Sequence, residues 1–178
     1  NDSLENNLVL AERQIGRLSI VLPVYNEEKN IEHAYEEIRK IMHKAHIDFE
    51  LVYVDDGSRD KSFEIIQRLA GQAKEGRIIG LSFSRNFGKE AAIFSGLSHA
   101  TGDVCAVMDC DLQHPPETLV EMYHMWEQGF EIIEGVKRSR GKESFLHQNF
   151  AKLFYQLISK SSGIDMYRSS DFKMLDRK

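Results

Sequence analysis

One feature constrains this chain above all others: a short apolar run, a polar break and a longer amphipathic stretch recur in order along most of its length. LSIVLPV (18–24) reads as a buried strand, and NEEKNIEHAYEEIRKIMHKA (26–45) as a helix with Ile31, Ala34, Ile38, Ile41 and Met42 on one face. FELVYVDDGS (49–58) is a second strand running into a turn, SFEIIQRLAGQAKE a helix, RIIGLSF a third strand and GKEAAIFSGLSHA a helix. DVCAVMDCD is the fourth strand, PETLVEMYHMWEQG its helix and FEIIEGV the fifth strand. Strand then helix, repeated, is the pattern of an α/β domain: a doubly wound, Rossmann-like, mostly parallel sheet flanked by helices.

The bulk properties narrow the function. A chain of 178 residues with 42% hydrophobic content is long enough for one domain with a real core and too short for two. Residues 1–17 are polar and mixed, an N-terminal arm, and the domain proper is expected over 18–178. A formal net charge of −5 argues against nucleic acid as a partner, since neutralising phosphates takes a surplus of Lys and Arg. Cys105 and Cys110 are the only cysteines, too few for a disulfide framework or a four-cysteine zinc site, and are expected as reduced thiols. No segment approaches the roughly 20 apolar residues of a membrane span, and the N-terminal stretch lacks the basic-then-apolar order of a signal peptide. The visible chain is therefore expected to be soluble and cytosolic.

In open α/β sheets ligands bind beyond the carboxyl ends of the strands, and here those ends are polar throughout: PVYNEE, VDDGS, SFSRNFGKE, MDCDLQHPPE and EGVKRSRGKE. Neither G-x-G-x-x-G nor G-x-x-x-x-G-K-[ST] is present, which disfavours a dinucleotide dehydrogenase and a P-loop NTPase. Asp109 and Asp111 are the chemical centre. At the end of the fourth strand they point to one side while Cys110 turns to the other, and two hard oxygen donors together suit Mg2+ or Mn2+ completed by waters and substrate phosphates. Gln113 stands ready to join that shell. The plainer alternative is that Asp109 forms an ion pair and Asp111 caps the next helix. Asp56-Gly57-Ser58 is likewise an ordinary turn signal, and Asp55 a residue that satisfies nearby amides. His114, followed by a double proline, reads as part of a rigid turn launching a helix rather than as a ligand.

With PVYNEE, VDDGS, SRNFGKE and MDCDLQ in this order, the chain resembles the family-two glycosyltransferases of the GT-A fold. It is most similar to the branch that loads sugars onto polyprenyl phosphate, such as dolichol-phosphate mannose synthase and bactoprenol glucosyltransferases. The resemblance implies an inverting hexosyltransferase using a nucleotide diphosphate sugar, a UDP-sugar being favoured, with Mg2+ or Mn2+ at Asp109, Asp111 and Gln113. It assigns Pro23, Tyr25, Glu27, Val54, Asp56, Lys89, Cys110 and Lys137 to the nucleotide-sugar pocket. The last of these follows the fifth strand and is aimed, in the family, at the phosphates.

The acceptor side follows from charge. A sugar hydroxyl needs a general base, whereas a lipid phosphate is already a nucleophile and needs orienting cations. The run Lys137, Arg138, Arg140 and Lys142 supplies them, with Arg138 and Arg140 assigned to the acceptor phosphate, although such runs are also found as solvated loops. SFLHQNFAKLFYQLISK (144–160) is an amphipathic helix that would lie on a membrane surface or pack on the core. SSDFKMLDRK (169–178) resembles the family's D-F-[KR]-L-L-D-R segment, which makes Asp171 the acid-base or acceptor-positioning candidate. Relatives continue beyond this segment and bacterial ones add membrane helices, so the expectation is a piece of a membrane-anchored enzyme acting at the cytoplasmic face. A homo-oligomer is left open. So are two other functions: transfer to a sugar hydroxyl in polysaccharide synthesis, and a non-catalytic nucleotide-sugar-binding module.

Overall fold

The computed structural model describes residues 16–135 and 172–177. In chain order these form β1 (Leu18–Val24), α1 (Ile31–Ala45), β2 (Phe49–Asp55), α2 (Ser62–Gln72), β3 (Arg77–Ser82), α3 (Lys89–His99), β4 (Val104–Val107), α4 (Glu117–Glu127), β5 (Ile132–Glu134) and β6 (Lys173–Asp176). The sheet has six strands in the order β3-β2-β1-β4-β6-β5. The pairs β1–β2, β1–β4 and β2–β3 are parallel, while β6 runs antiparallel to both neighbours.

The apolar runs are continuous because both faces of the central strands are covered. Leu18, Ile20, Leu22 and Val24 of β1 join Leu51 and Tyr53 of β2 beneath Ile31, Ile38 and Met42 of α1 and Met122 and Trp126 of α4. The alternate residues Val21, Val52, Val54, Cys105 and Val107 pack on the opposite face with Ala92 of α3. That period of two divides one sequence between two cores. Each fully buried Leu or Ile contributes about 1.5–3 kcal/mol over its exposed state. On the second face α3 lies close to the sheet: a Cβ on Gly96 would stand 2.3 Å from Val21 Cγ1. Only a residue without a side chain fits there.

Most of the expected elements are present, with three differences. First, α1 begins at Ile31, not at Asn26, because residues 25–30 form a loop whose amides are bonded to side chains of the following loop. Second, β4 ends at Val107, so the ladder stops before the aspartates; Leu112 turns the chain with a φ of 55°. Third, KMLD forms a strand inserted between β4 and β5, which the sequence pattern did not announce. The expected arm also ends inside the fold: Gly16 N donates to Tyr123 Oη at 3.1 Å and Arg17 N to Asp103 Oδ2 at 2.8 Å.

Cys105 and Cys110 are free and buried. Among the described residues, no helix is long and apolar enough to cross a membrane.

Candidate functional site

The carboxyl ends of β1, β2, β3 and β4 open onto one rim of the sheet, and the loops leaving them are bonded to one another. Asn26 N donates to Ser58 Oγ (2.9 Å) and Arg59 N returns a bond to Asn26 Oδ1 (2.9 Å). Glu27 N donates to Ser62 Oγ (2.9 Å), Glu28 N to Asp60 Oδ2 (3.2 Å) and Lys61 N to Glu28 Oε2 (3.1 Å). Ser58, Asp60 and Ser62 thus fix the shape of the loop after β1, a role that sequence reasoning missed. Their spacing, acceptor side chains at every second position after a turn, was the available signal.

The loop after β3 is held from β2. Asp56, only 3% exposed, accepts bonds from Phe87 N at 2.7 Å and Gly88 N at 3.0 Å. Its neighbour Asp55 accepts from Ser58 N and Ser82 Oγ, as the satisfaction of nearby groups required. Gly57, with φ +69°, lies so near that a Cβ would be 2.4 Å from the carbonyl carbon of Arg85. A carboxylate has about four acceptor directions, so Asp56 still has capacity for a ligand after clamping the two amides.

The other residues assigned to the nucleotide pocket differ in what they offer. Tyr25 is exposed at the rim, and Pro23 is half-buried in register with Val54. The Val54 side chain is fully buried under α3, leaving only its backbone available to a ligand. Glu27 is partly buried and its Oε2 accepts from Asn30 Nδ2 at 2.5 Å. Cys110 is 2% exposed within the α1–α4 core, so its thiol is no ligand contact. Burial pushes that thiol up to about 12, with Glu27, Asp111 and Asp109 acting on it in the same direction.

Asp109 and Asp111 sit past the strand, and the inference that they share a side does not carry over from strand geometry. What does persist is that Cys110 turns into the core on the face of Ala106 and Met108, while Asp109 meets α3. Lys89 Nζ stands 2.7 Å from Asp109 Oδ1, with both side chains about a third exposed (36% and 34%). Asp111 is exposed and its Oδ1 accepts from Gln113 N at 3.1 Å, closing a turn. It does not cap α4, whose N-cap residue is Pro116. Gln113 is exposed, and the His114 ring stacks on Phe172 at 4.6 Å, consistent with the rigid-turn reading. A cavity of about 390 Å³ opens alongside, lined by residues including Gln113, His114, Met122, Ile133 and Phe172.

Two hard carboxylates with open acceptor directions fit Mg2+ or Mn2+, which take few protein ligands and keep waters or substrate oxygens in the remaining positions. Among the described residues no group of three or more His, Cys, Asp or Glu is arranged to hold a metal. Lys137, Arg138, Arg140, Lys142, Asp171 and the 144–160 stretch lie outside the described residues.

Residues 19–178 match the model of glycosyl transferase family 2. An uncharacterized glycosyltransferase of Bacillus subtilis, YkcC, is 39% identical over 161 residues, covering 90% of this chain and 49% of the relative. A prophage bactoprenol glucosyl transferase homolog of Escherichia coli is 35% identical over 162 residues, 90% of this chain and 52% of the relative. The chain thus spans about half the length of the curated relatives it matches. Among solved structures, a mannosyltransferase of Pyrobaculum calidifontis, in complex with GDP-Man and Mn2+, superposes with a TM-score of 0.64 at 21% identity. That match covers 92% of this chain and 45% of the other. At that identity the likeness shows the fold, the GT-A arrangement of a mixed sheet flanked by helices.

Proposed function

This chain belongs to glycosyl transferase family 2, and from that premise we propose that it forms the donor-binding part of an inverting enzyme. The enzyme moves a hexose from a nucleotide diphosphate sugar, a UDP-sugar being favoured, to a polyprenyl phosphate. The observation that supports this most is the ion pair of Lys89 from α3 with Asp109 just past β4, 2.7 Å across, with Asp111 exposed two residues further on. A carboxylate paired with a cation, and a second carboxylate open to solvent close by in the chain, are groups that a metal-bound diphosphate could meet. The bactoprenol names carried by relatives favour the lipid phosphate as acceptor.

Tyr25 and Asp56 would flank the base and ribose, with Pro23 and the Val54 backbone forming the wall between them. Asp109 and Asp111, with Gln113, would hold Mg2+ or Mn2+. When bound, that cation supplies positive charge opposite the diphosphate as negative charge develops on its leaving oxygen. Lys89 and Lys137 add cationic charge to the same phosphates. Arg138 and Arg140 orient the acceptor phosphate so that its oxygen attacks the anomeric carbon opposite the leaving group. The sugar C–O bond to the nucleotide breaks as the new one forms, which inverts the configuration. An anionic acceptor has no proton to lose, so Asp171 serves in positioning rather than as an obligatory base. The 144–160 stretch would bring this half of the site to a membrane surface, where the lipid headgroup lies.

A thermal-shift screen of nucleotide sugars with and without Mn2+ tests the donor half. Ligand at about 100 times its Kd stabilises a folded protein by about 2.7 kcal/mol. A rise in Tm with a UDP-sugar, dependent on Mn2+, is expected. Absence of a shift with every nucleotide diphosphate sugar would contradict the reading.

A further inference from the structure

Asp109 receives Lys89 through a chain of fixed contacts. Asp56, buried at the end of β2, clamps the amides of Phe87 and Gly88, the two residues immediately before Lys89. Gly88 takes a φ of 102°, and α3 starts at Lys89, so the stem of that side chain leaves from a pinned backbone. Gly57, pressed on the Arg85–Asn86 peptide, and Gly96, pressed on Val21, hold the loop and the helix against the sheet. The lysine is thereby aimed from the β2 end to the β4 end, where its ammonium meets Asp109 Oδ1 at 2.7 Å. The oxygen it takes belongs to a carboxylate assigned to the divalent cation. Two cations cannot share that lone pair at full strength, and an ammonium and a divalent ion a few ångströms apart repel each other.

We propose that Lys89 is a built-in competitor for the divalent cation at Asp109, surrendering the carboxylate only when a nucleotide diphosphate is present to receive its ammonium. This rests on the donor reading given above and deepens it. In the absence of nucleotide, Lys89 neutralises Asp109 and keeps the carboxylate aimed at the rim. With the diphosphate bound, Lys89 pairs with phosphate oxygens and Asp109 Oδ1 is released. The cation and the nucleotide therefore bind cooperatively, and by linkage each raises the affinity of the other by the same factor. Coordination of stray divalent ions at an unloaded site is suppressed.

The test is Mn2+ binding to the full-length protein, followed by the electron paramagnetic resonance of free Mn2+, with and without saturating UDP. The wild type should bind Mn2+ weakly alone and much more tightly with UDP. Lys89→Met should bind Mn2+ about tenfold more tightly than wild type without UDP, and should gain correspondingly less from UDP. Lys89→Arg, which retains the charge, should behave as wild type. Lys89→Gln repeats the measurement should the methionine variant lose its native circular dichroism. If a folded neutral variant binds Mn2+ alone no more tightly than wild type, the competitor role is overturned while the donor reading stands. If wild type with UDP binds no Mn2+, the metal reading fails and this inference with it.

Discussion

The two rims of the sheet carry the same kind of residue in opposite circumstances. At the amino ends of the strands, Glu50 is fully buried and receives Ser19 Oγ (2.6 Å), Thr101 N (2.6 Å) and Thr101 Oγ1 (2.7 Å), while Gly102 N donates to Ser19 Oγ (2.8 Å). Burial opposes its ionisation, but the hydrogen bonds from Ser19 and Thr101, with the charge of Arg77, hold the Glu50 carboxyl below its ordinary range. At the carboxyl ends, Asp109 is about a third exposed against Lys89, and Asp111 is exposed with one oxygen on a turn amide. Asp55 and Asp56 stand between these extremes, buried but bonded to the loops that shape the site. A carboxylate's task is thus legible from its burial and its donors, not from its residue type. At the lower rim Glu50 is spent on the fold; at the upper rim Asp109 and Asp111 are offered outward.

Substitutions should separate the rims. The largest effect is expected at the upper one: Asp109→Asn or Asp111→Asn in the full-length protein should reduce sugar transfer by about 10²–10³-fold, the size of losing a principal electrostatic stabiliser. Urea unfolding should move by less than about 1 kcal/mol, since these groups are partly or fully exposed. Unchanged transfer would erase the distinction between the rims.

Next in size, Glu50→Ala should cost about 2–4 kcal/mol in urea unfolding, because it removes three hydrogen bonds and strands the buried hydroxyl of Ser19. It should leave the nucleotide affinity of the folded protein unchanged. The pH dependence sharpens this. Because the folded Glu50 is more acidic than an unfolded glutamate, its contribution is present above the ordinary value of about 4.3 and is lost as pH falls through the lower folded value. The stability gap between wild type and Glu50→Gln should therefore shrink below about pH 4. A gap that widened there would reverse the assignment.

The smallest effect tests the coupling within the upper rim. Gly57→Ala forces a side chain at φ +69° against the Arg85 backbone, and should cost about 1–2 kcal/mol. Because it displaces the loop that leads to Lys89, it should also raise the donor KM, whereas a purely local strain would leave KM alone.

Much of this arrangement was written in local patterns. LSIVLPV and FELVYV are apolar because both sheet faces are covered, and their lengths and order suffice for the parallel half of the sheet. The pattern failed where pairing is long-range. KMLD becomes a strand by pairing with β4 and β5, partners distant in sequence, and its four residues carry no period that distinguishes a strand from a turn. The apolar run VCAVM continued past the end of β4 because Met108, whose N still donates to Val21 O at 3.1 Å, and Cys110 both enter the core beyond the strand's last residue. At the site, Asp109 and Asp111 stood out by chemistry and neighbours. The Lys89–Asp109 pair and the Asp56 clamp did not, since they join residues 20 and more apart in sequence through geometry that only the folded sheet provides. Val54 and Cys110 belonged to the right segments, but their side chains serve the core.

The most direct measurement is acceptor choice. Membranes containing the full-length protein, supplied with UDP-[14C]hexose and Mn2+, should transfer label into an organic-extractable lipid that releases its sugar in mild acid, as a polyprenyl-phosphate sugar does. Asp109→Asn should cut that transfer by about 10²–10³-fold. Label appearing only in aqueous glycan, with none in the lipid fraction, would contradict the account.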